Sequence, residues 1–337
     1  MLERSTTERK DESRARDSGG RKAPQRGNWK KWLKPVFVVA VLALAGFLLY
    51  RTLSRYSLEG IITSVTMIPA ARFGLAALFA AMSYLCLTCF DYLALRYVGQ
   101  PLPYRYVALA SFCSLSLGHN IGFAALSSGA IRYRFYSRAG VNIEQIAKVI
   151  LFCGITVGLG LSILGGCALL LRPNLAGEIT GLSRAVVLTV GVACLAVPMA
   201  YVALAAVVRK TLKVRHWSLQ MPEWRLALGQ IIIGPVNFAF VAACLHQTLA
   251  GVGEVSYFAV AAVYVIAIVA SLITHVPGGL GVIETVVLYL LPEGNLIGAL
   301  LAFRVIYFLI PLAIGGSLFL ITELVLRRRS SSQSAKS

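Results

Sequence analysis

Charged side chains stand inside long apolar runs at a few positions of this sequence, and they bound the chemistry it can do. Glu284 follows Gly281 in a stretch otherwise apolar to Leu291, and Arg304 stands within the apolar stretch 296–325. An ionisable group in such a setting is costly and marks a functional site by default. The two suit an ion pair that lines a polar cavity or simply holds structure. Either way, losing one partner destabilises, because a lone buried charge is expensive. Arg132, Arg134 and Arg138 follow Ser127-Ser128-Gly129. A guanidinium binds phosphate through two parallel N–H bonds, so Arg132 and Arg134 are candidates for an anionic headgroup. Arg138 reads as a base of an ordinary loop. His119, Asn120 and His275 are further candidates: an imidazole in a wet cavity binds headgroup oxygens, relays protons or satisfies a freed carbonyl. Asp91, with Arg96 close by, reads as a local interfacial pair.

Other chemistries fit less well. Ser127 or Ser128 with His119 or His275 would suit an intramembrane hydrolase. A nucleophile needs a base and an orienting third group, however, and no spacing here specifies them. All seven cysteines lie in apolar runs, where a free thiol packs as a small hydrophobe. Cys86-x-x-Cys89 has no second pair to complete a metal site. The phosphate loop Gly-x-x-x-x-Gly-Lys-Ser/Thr is missing. No metal or cofactor is expected.

The elements that position these residues are membrane helices. Of 337 residues, 58% are hydrophobic and 14% charged, against about 25% charged in soluble domains. That excludes a soluble enzyme and a disordered chain. Long unbroken runs exclude an outer-membrane barrel, whose strands alternate over about 10 residues. The net charge of +18 sits beside apolar runs, as cytoplasmic flanks do, and does not read as a nucleic-acid surface. The apolar stretches are Val36–Tyr50, 73–95, 106–127, 148–171, 185–208, 226–250, 255–275, 279–291 and 296–325.

If all nine crossed the bilayer, 15 bases would face inside and 16 outside, which erases the positive-inside rule. If instead 106–136 is a re-entrant hairpin from the cytoplasmic side and 255–291 one from the outer side, the counts become 26 and 5. Such backbone is tolerated only where protein or a water-filled cavity covers it. Both stretches carry suitable punctuation: Gly118-His119-Asn120-Ile121-Gly122 and then Gly129 in the first, Pro277-Gly278-Gly279-Leu280-Gly281 in the second. Proline removes a donor and glycine permits positive φ.

The expected fold is therefore an all-α polytopic membrane protein with two inverted repeats, about 73–171 and 226–325, each with a re-entrant broken-helix hairpin and joined by 185–208. At an offset of 152, Ser128-Gly129-Ala130-Ile131-Arg132 lies over Leu280-Gly281-Val282-Ile283-Glu284. Inverted repeats with broken helices are a transporter architecture, with the site at the repeat interface. The chain divides into a disordered basic cytoplasmic tail (1–34), a membrane domain (35–326) and a cytoplasmic C-terminal tail (327–337). Tyr133, Tyr136, Tyr257, Tyr264, Tyr289 and Tyr307 read as interfacial or packing aromatics.

The stretch Ser116–Gly140, with its Gly-His-Asn and Ser-Ser-Gly-Ala-Ile-Arg-Tyr-Arg segments, resembles the flippase region of the bacterial phosphatidylglycerol lysyltransferase family. Val276–Glu284 is similar to a second signature of that family. The resemblance covers roughly 36–325. It implies movement of aminoacylated phosphatidylglycerol from the inner to the outer leaflet. In that family a soluble domain after the membrane region attaches the amino acid; this chain ends at Ser337, so a stand-alone member without lysyltransferase activity is expected.

The expectation is thus a multi-pass phospholipid flippase of the bacterial inner membrane, both termini cytoplasmic, moving (aminoacyl-)phosphatidylglycerol or a related anionic lipid. Membrane phospholipids are the expected partners, with a separate aminoacyl-lipid synthase as a second one. The alternatives are a non-transporting anchor of a lipid-modifying enzyme and, more remotely, an intramembrane enzyme.

Overall fold

Uninterrupted apolar runs in a chain with few charges satisfy their backbone groups most simply as helices, and the computed structural model is helical over most of the residues it describes. It describes residues 62, 66, 68–121, 124–207, 211–214, 217–291 and 296–334. The expected tail 1–34 and the run Val36–Tyr50 lie outside the described residues.

Helix α1 (Ala70–Tyr97) is followed by α2 (Tyr104–Ile121), α3 (Ala124–Tyr136) and α4 (Ile143–Leu171). The short α5 (Pro173–Thr180) leads into α6 (Arg184–Val207). Then come α7 (Trp224–Leu249), α8 (Tyr257–Thr274) and α9 (Val282–Leu290). Last are α10 (Ile297–Arg304), a π-helical turn (Val305–Leu309) and α11 (Ile310–Ser334). Among the described residues, six helices are long and apolar enough to cross a membrane: α1, α4, α6, α7, α8 and the continuous Ile297–Val325. Between the apolar stretches 185–208 and 226–250 lies a small antiparallel ribbon, in which Thr211 pairs with Gln220 and Val214 with Trp217.

Local chemistry sets the helix ends. Asn142 and Gln145 form a reciprocal cap at the start of α4, satisfying two orphan amides. Pro173 opens α5 and the left-handed Gly181 closes it, the usual asymmetry of the two residues.

The same order of elements occurs twice. Shifted by 152 residues, α1 falls on 222–249, where α7 spans Trp224–Leu249. The same shift carries α2 to 256–273, beside α8 at Tyr257–Thr274, and α4 to 295–323, where α10 and α11 run. Helices α1 and α7 pack antiparallel. Arg72 donates to Gln247 (3.0 Å), Ser83 to Asn237 (2.8 Å), and Tyr97 to the Gln220 carbonyl at the far end (2.5 Å). Small residues let α4 and α7 cross closely: a Cβ on Gly160 would lie 2.6 Å from the Gly234 backbone.

Each set contains a hairpin, and the two enter from opposite ends. In α2–α3, Tyr106 donates to the Phe135 carbonyl at the open end (2.7 Å), and Gly118 meets Ser128 near the tip. That open end adjoins the foot of α1, where the Gln145 amide reaches the Val98 carbonyl. The hairpin α8–α9 begins at the other end, where the His246 ring bonds the Val255 carbonyl (3.1 Å). Its tip reaches α2: a Cβ on Gly278 would lie 3.7 Å from the His119 carbonyl.

The two breaks are made differently. In the second hairpin the chain takes positive φ at His275 (53°), Gly278 (60°), Gly279 (58°) and Gly281 (85°). The first keeps α2 helical through Gly118 and Ile121. Gly129, expected to punctuate the hairpin, lies inside α3. Its role is packing, since a Cβ there would sit 2.8 Å from Ile150 Cδ1.

Candidate functional site

A cavity of about 310 Å³ lies between the two sets of helices. Most of its wall is apolar, with Phe90, Ile150 and Phe238 among its residues. Its polar lining includes His119, Ser128 and Arg132 from the first hairpin, Tyr264, Ser271 and His275 from the second, Asn237 from α7 and Tyr307 from the π-helical turn. The backbone of Gly278 and Gly279 completes it. Both broken segments thus contribute to one chamber.

Arg132 is 3% exposed. Its Nε and Nη2 donate to both oxygens of Asp91 on α1, at 2.9 and 2.7 Å, and its Nη1 to Ser128 Oγ at 2.9 Å. Tyr136 donates to the same carboxylate at 2.6 Å, and Cys153 Sγ lies 3.4 Å from it. The expected Asp91–Arg96 pair is not formed. Arg96 instead bonds and stacks on Tyr92, while Asp91 is fully buried as the counter-ion of Arg132. Burial of both charges makes this pairing obligatory. Tyr136, read as a packing aromatic, is part of the network.

Arg304 holds the second break. It pairs with Glu284 through Nε and through Nη2 (2.8 Å), and donates to the carbonyls of Gly278 (2.7 Å) and Gly279 (2.8 Å). Glu284 Oε2 also accepts from the Gly281 amide at 2.9 Å. One guanidinium thereby satisfies backbone groups that the left-handed turn takes out of helical pairing. Glu284 and Arg304 come together as expected, but neither lines the cavity; they sit behind its Gly278–Gly279 wall. Pro277 opens this turn.

Arg134 is likewise away from the chamber. It forms a forked bond with Glu323 on α11 (3.0 and 2.7 Å), and Arg138 joins the same carboxylate at 2.9 Å. This buried Glu323 clamp had no sequence signal beyond a lone acid near the end of an apolar run. Asn120 is also off the cavity wall. Its amide donates to the Ser116 carbonyl (2.8 Å) and to Phe308 in the π turn (3.4 Å). His275 sits at the tip, its Nδ1 2.9 Å from the Ile273 carbonyl.

Ser128 accepts from Arg132, and Ser127 donates to the Gly118 carbonyl (3.2 Å). Neither contact is the serine–histidine pair a hydrolase needs. Among the described residues no group of three His, Cys, Asp or Glu side chains could hold a metal ion.

No known family profile matches the chain. Two curated proteins do. The chain is 34% identical over 291 residues to the uncharacterized protein slr0712 of Synechocystis sp. (strain ATCC 27184 / PCC 6803 / Kazusa), covering 85% of this chain and 90% of that one. It is 30% identical over 249 residues to the inner membrane protein YbhN of Escherichia coli (strain K12), covering 72% of this chain and 77% of that one. With its apolar helices, the chain is a multi-pass membrane protein.

Proposed function

The chain belongs to the membrane-protein family of YbhN and slr0712, and on that premise we propose that it transports phospholipid across the inner membrane. The observation that carries this reading is the single chamber lined by both hairpins. The recurring element order and the antiparallel pairing of α1 with α7 support two inverted repeats around it. Inverted repeats hold their substrate at the repeat interface. An amphiphile suits a mostly apolar chamber with a buried guanidinium on its wall. Arg132 would face the phosphate, and the acyl chains would remain among the apolar walls and the lipid.

The Arg304–Glu284 clamp holds the second hairpin to α10, and the Arg134–Arg138–Glu323 clamp holds the first to α11. They are positioning residues in this reading, set to release as a hairpin moves. The resemblance of Ser116–Gly140 and Val276–Glu284 to the phosphatidylglycerol lysyltransferase flippase region favours phosphatidylglycerol, plain or aminoacylated, as the lipid. The segments 96–105, 132–148 and 209–225, rich in bases, then face the cytoplasm.

The test is reconstitution into liposomes containing phosphatidylglycerol or its aminoacylated form. Leaflet exposure is followed with a membrane-impermeant reagent. The wild type should accelerate exposure. Arg132→Lys, which retains a charge for Asp91 but loses the fork, should slow it. Folded wild type that accelerates neither lipid would overturn the reading.

A further inference from the structure

Asn237 lies on α7 where that helix crosses α1. It is 2% exposed and lines the cavity. Its Oδ1 accepts from Ser83 Oγ at 2.8 Å, and Ser83 Oγ lies 2.9 Å from the Tyr307 hydroxyl. That occupies the acceptor side of the amide. The Nδ2 group carries two donors and has no partner among the described residues. It is not sealed in either, because no fully buried side-chain nitrogen or oxygen there lacks a partner. The amide nitrogen therefore opens onto the chamber. A donor so placed is free to meet an acceptor that enters the chamber.

Two more donors share the chamber. The His119 ring packs 6.4 Å from Tyr84 and has no hydrogen-bond partner among the described residues. Arg132 engages Asp91 and Ser128 and still has N–H groups over on Nη1 and Nη2. Among the described residues no carboxylate lines the chamber. Arg132 is balanced by Asp91 behind the wall, so the lining is near neutral, and its spare donors match a ligand with several acceptor oxygens. The apolar remainder of the wall matches hydrocarbon joined to it.

We infer that Asn237 is a ligand-binding residue. Its amide nitrogen, with His119 and Arg132, forms a donor site for the phosphodiester oxygens of a phospholipid. The inference takes its substrate class from the transport reading but concerns binding.

The experiment titrates dioctanoyl phosphatidylglycerol into the purified, detergent-solubilised full chain by calorimetry, with dioctanoylglycerol and inorganic phosphate as parallel arms. The wild type should bind the phospholipid more tightly than either. Asn237→Asp keeps an acceptor for Ser83 but removes the donor and adds negative charge. It should weaken binding about tenfold or more, the size of a lost bond to a charged group. Ser83→Ala removes only the internal bond and should leave affinity nearly unchanged. A merely structural Asn237 predicts the reverse order, and that result would overturn the inference. Asn237→Leu, uncharged and similar in size, carries the same expectation where the Asp variant does not fold.

Inorganic phosphate binding as tightly as the phospholipid would overturn the lipid assignment, as would wild type that binds no phospholipid. Wild type that binds the lipid through Asn237 yet fails to move it would sink the transport reading and leave this site standing. Transport by wild type with unimpaired Asn237→Asp binding would sink the site alone.

Discussion

Arg132 and Asp91 face each other through hydrogen bonds of 2.7 to 3.2 Å, and both side chains are almost wholly withdrawn from solvent. The pair joins the first hairpin to α1, and removing one member strands the other. Arg132→Ala should cost about 3–5 kcal/mol, as breaking a buried pair does. It also leaves Tyr136 bonded to a carboxylate without a counter-ion. The double change Arg132→Met with Asp91→Leu should recover much of that loss, because well-packed apolar replacements of buried pairs are often neutral. Thermal unfolding of the detergent-solubilised variants checks this. A double variant no more stable than Arg132→Ala would contradict it.

Gly278 is fixed by its conformation and by Arg304. At φ 60° an L side chain costs about 1–2 kcal/mol, so Gly278→Ala should destabilise by that amount. Arg304→Lys should cost at least as much, since a single ammonium cannot reach the Glu284 carboxylate and two carbonyls in the planar geometry of the fork. Denaturation midpoints of the two variants, compared with Gly74→Ala where a Cβ meets open space, give the measure.

The α4–α7 crossing tolerates no side chain. A Cβ on Gly234 would lie 2.8 Å from the Thr156 carbonyl oxygen and 3.0 Å from Gly160 Cα. Overpacking costs about 1–3 kcal/mol even where side chains can yield, and here the neighbours are backbone. Gly234→Val should therefore sharply reduce the yield of folded protein. Gly154→Val, with nothing within 4 Å of its Cβ, should not. Size-exclusion profiles of the two variants distinguish the cases.

Gly140 and Gly251 stand at opposite ends of the bundle, beside the feet of α3 and α7. In a cysteine-free background, Gly140→Cys should resist a membrane-impermeant thiol reagent in intact cells and Gly251→Cys should react. Reaction of the first from outside would reverse the charge-based orientation.

Much of this architecture was legible because long apolar runs report membrane-length helices directly. The hairpin around Pro277 showed itself through glycines that its backbone needs. The partner of Arg304 could be inferred because Glu284 stands in the broken apolar run just before it, close to the Pro277–Gly281 turn. Asp91 was misassigned for the opposite reason. It had a base close by in sequence, and nothing local says that α3 folds back beside it. Asn237 and Glu323 escaped because an amide and a lone acid in apolar helices have no periodicity of their own. Their meaning comes from which helices cross. Gly129 was misread because glycine serves both turns and close contacts, and only the neighbour, Ile150, distinguishes them.

The wide turn Val305–Leu309 follows Arg304 directly. It holds one residue more than a regular turn would, and its carbonyls are met by Tyr84 and Asn120 of the first set of helices. Each residue in a helix advances the side-chain direction by about 100°. Deleting a single residue between 305 and 309 would restore ordinary winding and swing everything before it by that angle relative to α11. Arg304 would then miss the hairpin it holds. The surplus residue is an aiming device, so the length of this turn, and not only its side chains, is under constraint.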